Sequence, residues 1–128
     1  MRTSDKQWLF LQDIACLVYY IKDQGLKASG GDYERGDATQ DALFDAGLST
    51  KKAGESDHND KRAFDLNFWD RGGAFVDIPH PVKYTEAERK YVLEVLGHVG
   101  AFWKSLSKKN YWGGDWRFFD PRHFGRRL

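Results

Sequence analysis

Arg62-Ala63-Phe64-Asp65-Leu66-Asn67-Phe68 alternates strictly, with Phe64, Leu66 and Phe68 on one side and Ala63, Asp65 and Asn67 on the other. Successive side chains of a β-strand point to opposite faces, so the pattern predicts a half-buried strand with its aromatic side on the core. Arg71-Gly72-Gly73 then reads as a turn, Ala74 to Asp77 as a second strand closing a hairpin, and Pro79-His80-Pro81 as a rigid exit loop. Helical patterns flank these strands. Upstream, Ser4 and Gln7 form a capping box, and Leu11, Ile14, Val18 and Ile21 recur at three and four residues until Gly25. Downstream, Thr85 and Glu88 open a helix on which Tyr91, Val92, Val95, Leu96, Val99, Phe102 and Trp103 recur, ending at Ser105 or Leu106. Leu26 to Ser29 fits a short strand. Asp37 with Gln40 opens a short helix that stops at Gly47, and Ser49 to Arg62 is polar enough to be a long exposed loop. The expected fold class is α+β, a small antiparallel sheet packed with helices.

Size and charge narrow the function. A chain of 128 residues predicts a single domain over 1–128, and 41% hydrophobic residues supply a real core. Twenty Lys and Arg against nineteen Asp and Glu leave a net charge of +1, so no global field draws the chain to nucleic acid or a membrane. Arg122, Arg126, Arg127, Lys108 and Lys109 do interleave with aromatics near the C-terminus. A basic patch facing an anionic envelope, or nothing, outweighs nucleic-acid binding there. Cys16 is the only cysteine, which excludes an intrachain disulfide framework and fits a reducing compartment. The longest apolar stretch, Ile14 to Ile21, falls far short of the roughly 20 residues of a membrane span, so no membrane insertion is expected. The N-terminal residues lack the apolar core of an export signal, which predicts a cytoplasmic protein.

A metal site in this chain must use histidines and carboxylates. His98 lies on the Thr85 helix and His80 between two prolines, and both read as packing or surface residues. His58 stands seven residues ahead of Asp65. A loop folding back over the strand face could bring the two together, and a solvated charge run beside the strand fits as well. In Asp120-Pro121-Arg122-His123, Asp suits the cap and Pro the first position of a single helical turn, which would set positions 120 and 123 side by side. A surface histidine after an ordinary Asp-Pro start is the alternative.

Taken jointly, these motifs point further. Ser56-x-His58-x4-Ala63-x-Asp65, followed by Trp112-Gly113-Gly114-Asp115-Trp116 and Asp120-x-x-His123-Phe124, resembles the zinc peptidases that cleave peptidoglycan stem peptides. That family includes D-Ala-D-Ala carboxypeptidases and the small L-alanyl-D-glutamate endopeptidases used as phage endolysins, and its fold is similar to the Hedgehog signalling domain. Arg35-x4-Gln40 resembles an upstream segment of the same family. The resemblance implies that His58, Asp65 and His123 hold zinc and that Asp120 is the general base. It further implies that Arg35 engages substrate and stabilises charge on the scissile carbonyl, and that Ser56, Gln40 and Trp116 contact substrate or shape its cleft, with Trp112 beside them. Asp rather than Glu at position 120 is closer to the endopeptidase branch. The resemblance therefore predicts a monomeric, bacteriolytic L-alanyl-D-glutamate endopeptidase, held in the host cytoplasm until the membrane is permeabilised. A carboxypeptidase or dipeptidase, and an inactive wall-binding module of the same fold, are the alternatives. Three departures stand out. Lys61 replaces a common glycine, Pro121 lies one position early, and Gly125 replaces a Glu or Gln that commonly follows His-Phe. The last predicts loss of a hydrogen bond that steadies His123.

Overall fold

The computed structural model describes residues 1–31 and 62–127. Among them are two helices, α1 (Thr3–Asp23) and α2 (Glu86–Leu106), and four strands, β1 (Lys27–Gly30), β2 (Ala63–Trp69), β3 (Asn110–Trp112) and β4 (His123–Arg126). A single 3-10 turn, Gly113–Asp115, follows β3. The strands form one antiparallel sheet in the order β1-β2-β4-β3, the α+β architecture expected. No helix among the described residues is long and apolar enough to cross a membrane.

Strand alternation divides the sheet into two faces. Phe64, Leu66 and Phe68 of β2, Trp112 of β3 and Phe124 of β4 join the buried core with Phe10, Leu17 and Ile21 of α1 and Val92, Leu96, Val99 and Trp103 of α2. Trp103, wholly buried, sits edge-on to Phe64 and Phe10, and its indole N–H donates to the carbonyls of Tyr111 and Gly125. One side chain thus ties α2 to two adjacent strands. Trp112 lies against α2 at Gly100, where any β-carbon would overlap the indole. At the far end, the Arg126 guanidinium pairs with Asp13 of α1, and its Nε donates to Asn110 Oδ1 over 2.7 Å. Arg126 is therefore engaged within the fold.

Several local expectations change. Helix α1 begins at Thr3 with Arg2 as N-cap, whose amide and Nε both donate to the Asp5 carboxylate, so Ser4 and Gln7 lie within the helix. Its buried stripe is Phe10, Leu17 and Ile21, with Ile14 partly buried beside them, and Leu11 and Val18 are exposed. Strand β2 is not half-buried, because Ala63 and Asp65 on its second face are covered as well. Ala74 to Asp77 makes no strand. It contributes a bridge between Trp69 and Phe75, with Asp70 and Val76 amides donating to Ala74 and Phe68 carbonyls. The reason is competition for edges. β1 pairs along Leu66 to Trp69 on one edge of β2 and β4 along Ala63 to Asp65 on the other, so the returning segment can meet β2 only at the far end of that second edge. Gly73, with φ +85, makes the turn that brings Phe75 back. Helix α2 keeps its expected cap and reaches Leu106. The short helix after Asp37 and most of the 49–62 loop lie outside the described residues.

Candidate metal centre

The second face of the sheet carries the polar chemistry. Asp65 of β2 and His123 of β4 are direct cross-strand partners, so their side chains project from the same face. Both are buried, Asp65 at 4% and His123 at 8% exposure. His123 Nδ1 lies 3.4 Å from Asp65 Oδ1. The Gly31 amide donates to the Asp65 carbonyl over 2.8 Å, which fixes the backbone from the β1 side.

Asp120 arrives by a turn. The His123 amide donates to the Asp120 carbonyl over 3.1 Å, closing a four-residue turn with Pro121 in its second position, where a fixed φ is favourable. This corrects the single helical turn expected from Asp-Pro. Positions 120 and 123 are neighbours for a different reason, and β4 starts immediately afterwards. Gly113 braces the turn, since its carbonyl accepts from the amides of both Asp120 and Trp116. A β-carbon on Gly113 would overlap the Asp120 carbonyl oxygen, so only glycine permits this approach.

Asp65, Asp120 and His123 consequently offer ligating atoms that all lie within 4.8 Å of one another. Two carboxylates and an imidazole suit a borderline divalent cation such as zinc, whose ligands are drawn from these groups. His58, Arg35, Gln40 and Ser56 lie outside the described residues. Trp116 is half-buried and forms a wall beside the site, its ring 5.0 Å from that of His123. Trp112, by contrast, is a core residue. Its indole N–H donates to the Pro121 carbonyl over 2.8 Å, so it holds the Asp120 turn from behind. His80 and His98 stand away from this cluster as expected. His80 Nδ1 accepts from the Val82 and Lys83 amides, and His98 Nδ1 shares a 2.9 Å hydrogen bond with the Tyr20 hydroxyl.

One residue at the site has no counterpart in the motif reading. Tyr111 of β3 is the cross-strand partner of Gly125, and its hydroxyl lies 3.3 Å from His123 Nε2. The Gly125 departure thus does not leave His123 without a hydrogen-bonding neighbour, because that neighbour comes from the adjacent strand. The available signal was the Tyr before Trp112-Gly113-Gly114, on the same alternation as His123 once β3 and β4 are paired.

Residues 49–126 match a family profile described as D-alanyl-D-alanine carboxypeptidase. No curated protein matches the chain. Among solved structures, the Serratia marcescens L-Ala D-Glu endopeptidase ChiX superposes with a TM-score of 0.61 at 17% identity, over 92% of this chain and 77% of that one. The LD-carboxypeptidase LdcB, whose structure addresses peptidoglycan recognition, superposes with a TM-score of 0.50 at 17% identity, over 92% of this chain. This chain spans 57% of that LdcB chain. At such identities the likeness is one of fold.

Proposed function

Given that the chain belongs to the D-alanyl-D-alanine carboxypeptidase family, zinc peptidases that act on peptidoglycan, we propose that it is an L-alanyl-D-glutamate endopeptidase of the peptidoglycan stem peptide, working as a monomer. The observation that carries the reading is the convergence of Asp65, Asp120 and His123 from a strand, a turn and a neighbouring strand. An aspartate rather than a glutamate at position 120 supports the endopeptidase branch.

In this reading His58, Asp65 and His123 hold the metal. Zinc there supplies a Lewis acid and lowers the pKa of water toward about 7. Asp120, held beside the cluster by Gly113 and Pro121, takes the proton from the attacking water and returns it to the leaving amine. Arg35 places a fixed positive charge against the oxygen of the scissile carbonyl as it becomes anionic. Trp116 forms the wall on which the stem peptide rests, and Ser56 and Gln40 hydrogen-bond to it. We extend the proposal to a lysis role, in which the enzyme waits in the host cytoplasm and reaches the wall after the membrane is opened. The motif resemblance to phage endolysins supports that role.

Mass spectrometry of digested muropeptides tests the bond cleaved. Release of L-alanine-terminated glycan and a peptide beginning with D-glutamate is expected, whereas loss of only the terminal D-alanine would establish a carboxypeptidase instead. His58→Ala and His123→Ala should lose zinc. Asp120→Ala should retain it and lose turnover by at least a hundredfold, the typical contribution of a general base. An Asp120→Ala enzyme that still hydrolyses at the parental rate removes the assigned base. For the lysis role, cells expressing the protein should lyse only once their membrane is permeabilised.

A further inference from the structure

Burial makes the orientation of the His123 ring matter. The imidazole is 8% exposed, with Nδ1 facing Asp65 and Nε2 facing Tyr111. A metal can occupy only a ring nitrogen that carries no proton, so an imidazole that ligates through Nδ1 must carry its proton on Nε2. That proton then points at the Tyr111 hydroxyl oxygen, 3.3 Å away. Burial leaves little water to accept it instead.

Tyr111 reaches this position because of Gly125. The two are cross-strand partners, and Tyr111 lies across the glycine toward His123, two residues along β4 on the same face. A β-carbon at position 125 would overlap the Tyr111 ring and hydroxyl. The ring is held in its place by its surroundings. It stacks with His123 at 5.6 Å and with Trp116 at 5.7 Å between centroids, both at 24°, and the Arg127 guanidinium lies 4.9 Å from its centroid.

We infer that Tyr111 is a positioning residue for the metal centre, its hydroxyl accepting the His123 Nε2 proton and so presenting Nδ1 to the metal, and that Gly125 is the vacancy that admits it. The missing Glu or Gln at 125 and the tyrosine at 111 are then one arrangement. The inference rests on the metal-site reading of the preceding subsection.

Tyr111→Phe retains the stacked ring and removes only the acceptor. Zinc affinity is measured by competition with a chromophoric chelator, and the His123 Nε2 proton is followed in the zinc-loaded protein by 1H–15N NMR. The variant should bind zinc at least tenfold more weakly, the usual cost of losing a hydrogen-bond partner of a ligating histidine. Its Nε2 proton should exchange with solvent markedly faster. Packing alone would move neither readout, since the ring remains. Should Tyr111→Phe fail to fold, Gly125→Ala keeps the hydroxyl but displaces it and should show the same two changes. Unchanged affinity together with an unchanged exchange rate overturns this inference and leaves the metal site standing. A parent protein that takes up no zinc overturns both.

Discussion

At the scale of single residues, Gly113 shows how the site depends on an atom that is not there. Its carbonyl anchors both Trp116 and Asp120, and the Asp120 carbonyl occupies the space a β-carbon would need. Gly113→Ala must therefore push the Asp120 turn outward, moving the carboxylate and, through the hydrogen bond between the Asp120 carbonyl and the His123 amide, the start of β4. Overpacking of this kind costs roughly 1–3 kcal/mol. Urea denaturation should show that loss, and turnover should fall further than stability alone explains, because a displacement of about 1 Å at a reacting group can cost about a hundredfold. A variant as active as the parent would mean that the turn relaxes without moving Asp120. Asp65 was legible in the sequence as a residue of the strand's polar face because alternation fixes which face a strand residue occupies, whereas His123 stood out only through the motif resemblance, since no strand pattern marks β4. Asp120 was legible as a neighbour of His123 for the wrong local reason, since a helical turn and a β-turn both bring positions three apart together. Tyr111 was not legible, because its role exists only once β3 and β4 are in register.

At the scale of elements, the α2 N-terminus was read correctly because its signal is local. The Thr85 hydroxyl accepts from the Glu88 amide over 3.1 Å, and the Glu88 carboxylate accepts from the Thr85 amide over 2.9 Å. The backbone N–H of Thr85, and secondarily its side chain, hold the Glu88 carboxyl below the ordinary glutamate value of 4.5. A carboxylate whose pKa is lowered in the fold stabilises it above the ordinary value, and that contribution fades as pH falls through the lowered one. Thr85→Ala should cost about 1 kcal/mol at neutral pH. Glu88→Gln should flatten the acid-side decline in stability, read from urea midpoints taken between neutral pH and values below 4.5. An identical acid-side slope in that variant would show that the carboxylate does not contribute. Helix α1 lacks so decisive a signal. Apolar residues at 10, 14, 17 and 21 and at 11, 14, 18 and 21 both satisfy helical spacing, and periodicity cannot choose between stripes one residue apart. Tertiary partners choose, since Phe10 fits edge-on against Phe64 and Trp103.

At the scale of the whole molecule, strand order decides whether there is a site at all. The α+β class follows from one alternating segment between two helical ones, but the placement of β4 between β2 and β3 does not, because long-range pairing leaves no periodic trace. That placement puts His123 opposite Asp65 and confines the 74–77 segment to a single bridge at the far end of β2. It also means that a metal held by Asp65 and His123 would cross-link β2 to β4, joining chain segments far apart in sequence. A ligand that binds only the folded state stabilises it by RT ln(1 + [L]/Kd), about 2.7 kcal/mol at a hundredfold excess over Kd. For a domain of this size that corresponds to a rise of roughly 10 °C in Tm. Removing the metal by dialysis against a chelator should lower Tm by that amount, and restoring zinc should recover it. His123→Ala should show a single Tm, unmoved by zinc or chelator, because the ligand contributed by β4 is gone. A parent protein whose Tm ignores both would place no metal between these strands, whatever its activity on peptidoglycan.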